Sequence, residues 1–224
     1  MEIRFDDLKN ADLIIDCIYK SGPKSGYKGE PLHILLPKCG TASGFRKVSR
    51  IDNKKEMAYV ILFSTQVVKE WPDSLDKETG IFKYYGDNRD PDKGIMNTKQ
   101  GGNKLLVKVF SMLNLKDKIK DIPPFLIFNQ TGDGRDVKFL GLAVPGNPLI
   151  TPFDDLRIVK KTINGKSFIN YEACFTILDT TDNPISKKWL KALIENHGNS
   201  LKYAPKAWKT FIKKGREGIT ALKR

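Results

Sequence analysis

The sequence predicts an α+β fold whose sheet is mixed or mainly antiparallel and barrel-like. Three observations support this class. Strand-like and helix-like segments occur in blocks rather than in alternation, which is typical of α+β domains. The dipeptide Asn164-Gly165 separates two strand-like runs, and this is a strong signal for a hairpin. The chain has 224 residues, of which 40% are hydrophobic, so it can bury a sizeable core.

Hydrophobic spacing and turn residues define the elements of the first hundred or so residues. The run from Phe5 to Lys20 has apolar residues three and four apart and two aspartates in its first turn, so it is predicted as an amphipathic helix. Two polar, basic loops follow, Ser21 to Glu30 and Gly40 to Arg50, with a short proline-bounded apolar segment between them. The β-favouring residues within Glu56 to Val68 predict a central strand.

The remaining elements follow from the same signals. Asn103 is predicted to cap a helix that runs from Lys104 to about Leu113. Thr131 to Asp136 is predicted as a hairpin turn. The other predicted strands are Ile81–Tyr85, Phe125–Asn129, Lys138–Val144, Asp155–Lys161 and Phe168–Leu178, and the other predicted helices are Lys187–Asn196, capped by Ser186, and Pro205–Lys214.

The stretch from Ile81 to Pro91 concentrates the most chemistry. It opens as a strand, breaks at Gly86 and continues as a polar turn, so two tyrosines, two aspartates, an asparagine and an arginine meet at one strand end. Aromatic rings can stack on a flat polar ring, while carboxylate and amide groups can bond to its edge. The stretch therefore fits a pocket for such a ring, although an ordinary hairpin with strand-filling tyrosines fits the same residues.

The charge of the chain favours a polyanionic partner. Lys and Arg number 39 against 26 acidic residues, which gives a formal net charge of +13 and a pI near 9.5. A surplus of this size is typical of proteins that bind nucleic acid, the alternative being a charge that only keeps the protein in solution. Nucleic acid is therefore the expected class of partner.

The cysteines and the apolar runs of the sequence indicate which cofactors and which cellular compartment to expect. Cys17, Cys39 and Cys174 are odd in number and widely spaced, so neither a disulfide framework nor a zinc site is expected, and no cofactor is predicted. No apolar run approaches the roughly 18 residues of a membrane span, and the acidic N-terminus is unlike a signal peptide. A soluble, cytoplasmic protein without a membrane partner is expected.

Catalytic signatures are weak. Only His33 and His197 could serve as a catalytic histidine, and neither lies in a motif that supplies a nucleophile. A metal-dependent nuclease needs clustered carboxylates and a lysine, and the nearest candidate is Asp154-Asp155, followed by two lysines. No catalytic or metal-binding residue is therefore assigned, and a complete metal-dependent endonuclease around this pair stays an alternative.

Several motifs together carry a resemblance to a known family. In chain order they are Ala11-Asp12-Leu13-Ile14, Gly44-Phe45-Arg46, the runs Trp71–Asp76 and Glu78–Arg89, Asn97-Thr98, and the runs Gly102–Leu106, Phe139–Gly146 and Phe175–Asp179. They resemble the N-terminal recognition domain of modification-dependent restriction endonucleases of the AspBHI and MspJI type. The resemblance extends over nearly the whole chain, and its most distinctive block begins at Trp71 and ends at Arg89.

The resemblance implies an SRA-like fold, a curved sheet that reads 5-methylcytosine in DNA by flipping the base into a pocket. It implies that this pocket is lined by Tyr84, Tyr85, Asp87, Asn88, Arg89 and Asp90. Asp87 would accept a hydrogen bond from the base edge, and one of the two tyrosines would stack on the ring. Contacts with the DNA backbone or grooves are expected from Lys24, Lys28, Ser43, Arg46, Lys47, Arg50, Asn103 and Lys104.

Two departures from the family pattern bear on this interpretation. Ser43-Gly44 stands where two glycines are expected before Phe45, which leaves the modified base and its flanking sequence open. The separate C-terminal nuclease domain of such enzymes has no counterpart in this sequence. Residues 1–215 are therefore predicted as a single recognition domain, and residues 216–224 as a tail or the start of a linker.

The sequence thus predicts a module that binds double-stranded DNA carrying a modified cytosine and acts with a fused or associated nuclease domain. Two alternatives stay open: the complete metal-dependent endonuclease, and a general basic module for RNA or another nucleic acid. Formation of a homo-oligomer is left open as well.

Overall fold

The computed structural model describes residues 1–40, 44–65, 71–88, 90, 92–131, 133–163, 166–195 and 197–224, without the side chains of residues 163 and 166. The chain groups into two compact units. The first unit consists of Met1–Thr65, Pro123–Leu142 and Thr180–Lys209, and the second of Gln66–Ile122, Ala143–Asp179 and Thr210–Arg224. Each unit is therefore assembled from segments that are distant in the sequence.

Strands and helices are distributed along the whole described chain. The strands are β1 (Glu2–Ile3), β2 (Ile18–Tyr19), β3 (Phe45–Ser49), β4 (Met57–Ser64), β5 (Ser74–Asp76), β6 (Ile81–Tyr85), β7 (Phe125–Gln130), β8 (Val137–Pro145), β9 (Leu156–Ile163) and β10 (Lys166–Ile177). The α-helices are α1 (Pro31–Leu35), α2 (Gly102–Leu113), α3 (Lys187–Glu195) and α4 (Lys206–Lys214). Short 3₁₀ helices cover Phe5–Asn10, Gly26–Gly29, Lys116–Asp121, Pro152–Asp154, His197–Tyr203 and Gly215–Gly218.

In the first unit, strand β4 lies between β3 and β7, antiparallel to β3 and parallel to β7. Its residues 58–62 are wholly buried, which explains the unbroken apolar run there. This position confirms the predicted central strand, although the last residues of the predicted range, Gln66 to Val68, lie outside the described residues. Beyond β7 comes the first part of β8, whose start pairs with β2.

In the second unit, the sheet is built around β10. This strand pairs antiparallel with β6, with β9 and, near its own end, with residues 143–145 of β8, while β5 pairs with the far side of β6. Helix α2 buries one apolar face. Its Phe110 packs edge-on against Phe175 of β10, with 5.3 Å between the ring centroids, so α2 covers this part of the sheet.

The mixed α+β class predicted from the sequence is confirmed. Most of the strand pairs are antiparallel, while β1 with β2 and β4 with β7 are parallel. In neither unit does the strand order of the described residues return to its first strand, so the sheet is open there and a barrel-like form is not confirmed. The hairpin of β9 and β10 was predicted correctly, and its Asn164-Gly165 turn lies outside the described residues.

The helix predicted from Phe5 to Lys20 is wrong. Its helical part is a 3₁₀ segment that ends at Asn10, and the chain then enters β2. Contacts across the first unit decide this, because Leu13 exchanges two backbone hydrogen bonds of 2.9 Å with Ile185. The hydroxyl of Tyr19 also bonds to the backbone of the loop before it. The apolar spacing of this run therefore reflects a buried loop and a short strand rather than one helical face.

The two C-terminal helices confirm their predictions with small changes of boundary. Helix α3 ends at Glu195, and the next residue lies outside the described part of the chain. The backbone N–H of Trp189 donates to the hydroxyl of Ser186 at 3.2 Å, which confirms the predicted cap. Helix α4 begins directly after Pro205 and is followed by Gly215 with φ +61°.

No helix in the described part of the chain is long and apolar enough to cross a membrane.

Residues 216–224 pack onto the rest of the second unit. Ala221 forms a backbone bridge with Leu178, and Leu222 is 6% exposed. The backbone N–H of Arg224 donates to the carbonyl oxygen of Lys77 at 2.8 Å. The expectations that these residues lead into a linker and that residues 1–215 act as one recognition domain stay predictions.

Candidate base-binding site

Strand β6 places its two tyrosines on opposite faces, because neighbouring side chains of a strand point to opposite sides. Tyr84 is 3% exposed and stacks on Phe82, with 6.5 Å between the ring centroids. Tyr85 is half-buried and shares its face with the exposed Lys83. Tyr84 therefore belongs to the core of the second unit, and Tyr85 is the tyrosine of this pair with access to solvent.

Tyr85 is held by an ionic network on β9 and β10. Its hydroxyl donates to Oε2 of Glu172 at 2.8 Å, and Oε1 of the same carboxylate accepts from Nε and Nη2 of Arg157 at 2.9 and 2.6 Å. Burial alone would raise the pKa of Glu172, but the bonds from Tyr85 and Arg157 outweigh it and lower that pKa. Burial and the bond to Glu172 raise the pKa of Tyr85 to about 12, so this hydroxyl stays protonated at neutral pH.

An aromatic cluster surrounds the ring of Tyr85. The ring of Trp71 lies 5.4 Å from it, and Phe168 meets Trp71 edge-on, also at 5.4 Å. The ammonium group of Lys161 lies 4.6 Å from the centroid of Trp71 and 5.4 Å from that of Tyr85. This arrangement is a cation–π contact with two rings at once. The rings of Trp71 and Tyr85 therefore already hold the ammonium group of Lys161.

Asp87 lies two residues after the end of β6 and contacts the first turn of α2. The backbone N–H groups of Gly102 and Asn103 donate to its two carboxylate oxygens, each at 2.9 Å. The two bonds hold the carboxylate at the N-terminus of the helix, where acceptor groups are favoured. A Cβ at Gly102 would lie 2.7 Å from Cγ of Asp87, which explains the glycine at this position.

The cap predicted for α2 is therefore wrong in its details. Helix α2 begins at Gly102, and its N-cap is Gly101, whose φ of +63° favours glycine. Asn103 lies inside the first turn, where its side chain is fully buried. The backbone N–H of Asp87 donates to Oδ1 of Asn103 at 3.0 Å, so this asparagine secures the loop after β6 instead of capping the helix.

Buried amides fix the turn at Gly86. Asn170 of β10 donates from Nδ2 to the carbonyl oxygen of Gly86 at 2.8 Å and accepts from Nδ2 of Asn103 at 3.2 Å. A Cβ at Gly86 would lie 1.9 Å from Oδ1 of Asn103 and 2.7 Å from Oδ1 of Asn170. Only glycine therefore allows the chain to turn so close to both side chains.

The last three predicted pocket residues differ in position. Asn88 is 3% exposed, and its Nδ2 donates to the carbonyl oxygen of Ile169 at 2.9 Å, so it ties the loop to β10. Asp90 is partly exposed and pairs with Lys93 at 3.2 Å. Arg89 lies outside the described residues. Asp87 and Tyr85 are therefore the half-buried pair around which the candidate site is built.

Comparison with known proteins identifies the family. A family model described as restriction endonuclease AspBHI N-terminal matches residues 13–223. The chain belongs to this family. The resemblance seen in the sequence motifs is thereby confirmed. Among curated protein sequences, no relative matches the chain.

Three solved structures of restriction endonucleases or their domains share this fold. The DNA recognition domain of the cytosine modification-dependent restriction endonuclease LpnPI is 35% identical, with a TM-score of 0.85 over 99% of this chain and 95% of that one. The DNA modification-dependent restriction endonuclease AspBHI is also 35% identical, with a TM-score of 0.88 and complete coverage of both chains. The MspJI restriction endonuclease, in complex with a 27-mer oligonucleotide, shares the fold at 19% identity and a TM-score of 0.71, over 96% of this chain and 54% of that one.

The residues expected to contact DNA in this AspBHI-family chain differ in their exposure. Exposed ammonium groups belong to Lys24, Lys28, Lys47 and Lys104. Arg46 is 6% exposed and is ion-paired with Glu30, so its position does not favour the predicted phosphate contact. Arg50 pairs with Asp52 and Glu56 at 2.6 and 2.7 Å, Asn103 is buried as described, and Ser43 lies outside the described residues.

Asp155, the centre of the alternative nuclease site, is buried and bonded to other parts of the fold. It is 2% exposed and is ion-paired with Arg216, and its Oδ1 accepts from the backbone N–H of Asn147 at 2.7 Å. Burial raises its pKa despite the guanidinium and the backbone bond. Among the described residues, no group of three or more His, Cys, Asp or Glu side chains could hold a metal ion. Asp155 therefore anchors the segment before β9.

Sequence reasoning missed four residues of the site, all on β9 or β10. They are Arg157, Lys161, Asn170 and Glu172. The last three contact β6 or the turn after it, and Arg157 bonds to Glu172. The hairpin between these strands was predictable from its turn, and its register pairs Arg157 with Glu172. The pairing of β10 with β6, which joins residues 87 positions apart at Tyr85 and Glu172, left no local signal in the sequence.

Proposed function

We propose that this chain binds double-stranded DNA and recognises a modified cytosine, 5-methylcytosine or a close relative, after the base has flipped out of the duplex. It serves as the specificity module of a modification-dependent restriction endonuclease. The observation that carries this proposal is the similarity over almost the whole chain to the LpnPI domain, which is described as a recognition domain of a cytosine modification-dependent enzyme. The similarity to AspBHI over the full length of both chains supports it.

The chemistry of the candidate site suits a cytosine. The base offers an N4 amino group as a donor, and a carboxylate such as that of Asp87 can accept from it. Both carboxylate oxygens of Asp87 already accept one backbone N–H each. A carboxylate has about four acceptor sites in total, so Asp87 can accept further hydrogen bonds. The ring of Tyr85 supplies a stacking face. Lys161, 5.4 Å from that ring, can donate to an acceptor of the base or to a nearby phosphate.

The methyl group contributes only a small apolar contact. A difference of this size in a pocket changes the binding free energy by about 1–3 kcal/mol, which corresponds to a preference of roughly 5- to 150-fold. Phosphate contacts add affinity that does not depend on the base, and the exposed Lys24, Lys28, Lys47 and Lys104 can supply them.

The biological setting belongs to the same proposal. A fused or associated nuclease domain cleaves the DNA that this chain has recognised, as the descriptions of its relatives as restriction endonucleases suggest. This chain acts in the cytoplasm, where it distinguishes modified phage DNA from the DNA of its own cell.

The proposal is tested by binding the wild-type chain to matched duplexes. The duplexes carry cytosine, 5-methylcytosine or 5-hydroxymethylcytosine at one position in several sequence contexts. Each is prepared with guanine or with a mismatched base opposite that position. We expect tighter binding to one modified duplex, and still tighter binding when the modified base is mismatched, because less energy is then needed to extrude it.

Three results would contradict parts of this proposal. Equal binding to every duplex in every context would leave a DNA-binding domain without base recognition. If a mismatched base opposite the modified position abolished the preference or left it unchanged, the modified base would be read within the duplex. Equal competition by unmodified RNA would indicate a general nucleic-acid-binding module.

A further inference from the structure

The last segment of the first unit concentrates positive charge. Between Asn183 and Lys209 the sequence contains six lysines and a single acidic residue, Glu195, which leaves a net charge of +5 in this short segment out of +13 for the chain. Like charges on neighbouring elements repel one another, so a surplus of this size does not by itself stabilise the fold. The segment therefore has the charge of a surface for a polyanion.

The helices of this segment direct their lysines outwards. Helix α3 buries Trp189, Leu190, Leu193 and Ile194, so Lys188 and Lys191 lie on its exposed side. Helix α4 buries Trp208, while Lys209 is exposed. Lys187 is different, because its ammonium group donates to the backbone carbonyl oxygen of Leu8 at 2.6 Å and serves the fold.

Three of the exposed lysines, each from a different element, converge near Tyr203. The ammonium group of Lys188, on α3, lies 4.5 Å from the ring centroid of Tyr203, and that of Lys202, on the 3₁₀ helix, lies 5.8 Å from it. The ammonium group of Lys209, on α4, contacts the carbonyl oxygen of Lys202 at 3.5 Å. The ring of Tyr203 thus contacts two cations, and the third contacts the backbone of the residue before Tyr203.

This lysine cluster is defined as Lys188, Lys202 and Lys209. In the described ranges of the chain, none of the three forms an ion pair with a carboxylate. Elsewhere the structure does pair its cations, as Arg50 does with Asp52 and Glu56. Three ammonium groups from three elements form a surface to which a polyanion can bind, and the backbone of DNA, with one negative charge on each phosphate, is such a polyanion.

We propose that the lysine cluster is a phosphate-binding surface that holds the backbone of duplex DNA regardless of base identity or modification. It lies in the first unit, whereas the residues of the candidate base-binding site lie in the second. Because phosphate contacts carry no information about the base, the cluster adds affinity without adding selectivity. This inference rests on the DNA binding of the proposed function, but it does not rest on base recognition.

The test is a salt titration of DNA affinity with the triple variant K188Q/K202Q/K209Q. Each phosphate contact contributes a slope of about −0.9 to the dependence of log K on log salt, so the loss of three contacts makes the slope less steep by up to about 2.7. Affinity should fall by the same factor for modified and unmodified duplexes, so their ratio stays at the wild-type value. The triple variant K188R/K202R/K209R keeps the charges and should restore both slope and affinity.

A matched control removes the same charge elsewhere. The variant K116Q/K118Q/K120Q alters three exposed lysines of the 3₁₀ helix Lys116–Asp121, where Asp117 and Asp121 lie beside Lys118. We expect this control to change the slope much less. A cluster variant with the slope of the wild type or of this control would overturn the inference, as would an arginine variant as weak as the glutamine variant.

The same titration separates this inference from the proposed function. A loss of affinity confined to the modified duplex would assign the cluster to base recognition and overturn the inference. A wild type that binds modified and unmodified duplexes equally, while the cluster variant still lowers the salt slope, would remove base recognition and support the phosphate-binding surface.

Discussion

The carboxylate of Asp87 is held in place by two backbone N–H groups of α2 without any ligand. The side chain of Tyr85, two residues earlier, is also held in place, by the hydrogen bond that its hydroxyl donates to Glu172. Groups that are already ordered lose less conformational freedom on binding. At the scale of single residues, the candidate site is therefore preorganised, and the residues that order it are as important to test as those that would touch a base.

Glu172 gives a prediction for the dependence of stability on pH. Its pKa is lowered in the folded state from an ordinary value of 4.5, so its charge stabilises the fold above that value, and this contribution is lost as the pH falls through the lower, folded pKa. We expect Glu172→Gln to lower the free energy of unfolding at pH 7 by about 1.5–3 kcal/mol, since bonds to a charged group are lost. The difference from wild type should shrink below about pH 4.5.

The measurement is urea denaturation of both proteins from pH 7 to pH 3. Glu78→Gln is the matched control, because Glu78 is exposed. We expect that control to stay within about 0.5 kcal/mol of wild type at each pH. A difference between Glu172→Gln and wild type that is the same at pH 7 and pH 3 would contradict the assigned role of this carboxylate.

At the scale of elements, the loop from β6 to α2 is fixed by side chains of α2 and β10. Asn103 and Asn170 are fully buried and bond to the backbone of the turn and to each other. Their packing leaves no space for a side chain at Gly86. The direction in which Asp87 leaves the strand therefore depends on the absence of a Cβ one residue earlier.

Gly86→Ala should accordingly disturb the loop. A Cβ there would meet Oδ1 of Asn103 at 1.9 Å, so one of the two buried amides must move, at a cost of about 1–3 kcal/mol in the free energy of unfolding. We also expect weaker binding to the modified duplex. Gly94→Ala is the control in the same loop, since its Cβ would lie 3.5 Å from its nearest neighbour, Nδ2 of Asn97. Equal stability and binding of the two variants would show that Gly86 does not position the loop.

The segment before β9 supports a second prediction at this scale. Arg216 is ion-paired with Asp155 and also donates to the carbonyl oxygen of Ile150 at 2.7 Å. Because removal of one partner leaves a buried charge, Asp155→Ala or Arg216→Ala should lower the free energy of unfolding by about 3–5 kcal/mol. Asp154→Ala, at an exposed position, should change it by less than about 0.5 kcal/mol.

The same variants test the nuclease alternative. Plasmid DNA incubated with the wild-type chain and magnesium or manganese should stay intact. Metal-dependent cleavage that is abolished by Asp155→Ala, in a protein whose stability is unchanged, would instead establish a catalytic role for this carboxylate.

At the scale of the whole molecule, local signals predicted more of the fold than of the site. Strands β4 and β6 and the hairpin of β9 and β10 follow from runs of β-favouring residues and turn chemistry, which act over a few residues. The N-terminal run failed because Leu13 pairs with Ile185, a contact that no local pattern reveals. The motif around Tyr85 and Asp87 could also be found in the sequence, because its strand and turn residues are neighbours in the chain.

The rest of the site depends on contacts that are distant in sequence. Glu172, Asn170 and Lys161 reach the site only through the pairing of β10 with β6 and β9. Arg46 looked like a loop cation, but Glu30 pairs with it in a buried position. Charge counts alone cannot separate a cation used in the fold from one available to DNA, and burial decides this for each residue.

The central claim is that Asp87, in the loop after β6, lies at the pocket for a modified cytosine. Its most direct test is fluorescence anisotropy at fixed salt with one modified and one unmodified duplex of the same sequence, using wild type, Asp87→Asn and the exposed control Asp117→Asn. Asparagine can still accept a bond from α2, but the charged acceptor for the base is lost. We predict that wild type and Asp117→Asn prefer the modified duplex, and that Asp87→Asn binds it about tenfold or more weakly, close to the unmodified duplex. Undiminished binding of the modified duplex by Asp87→Asn would contradict the account.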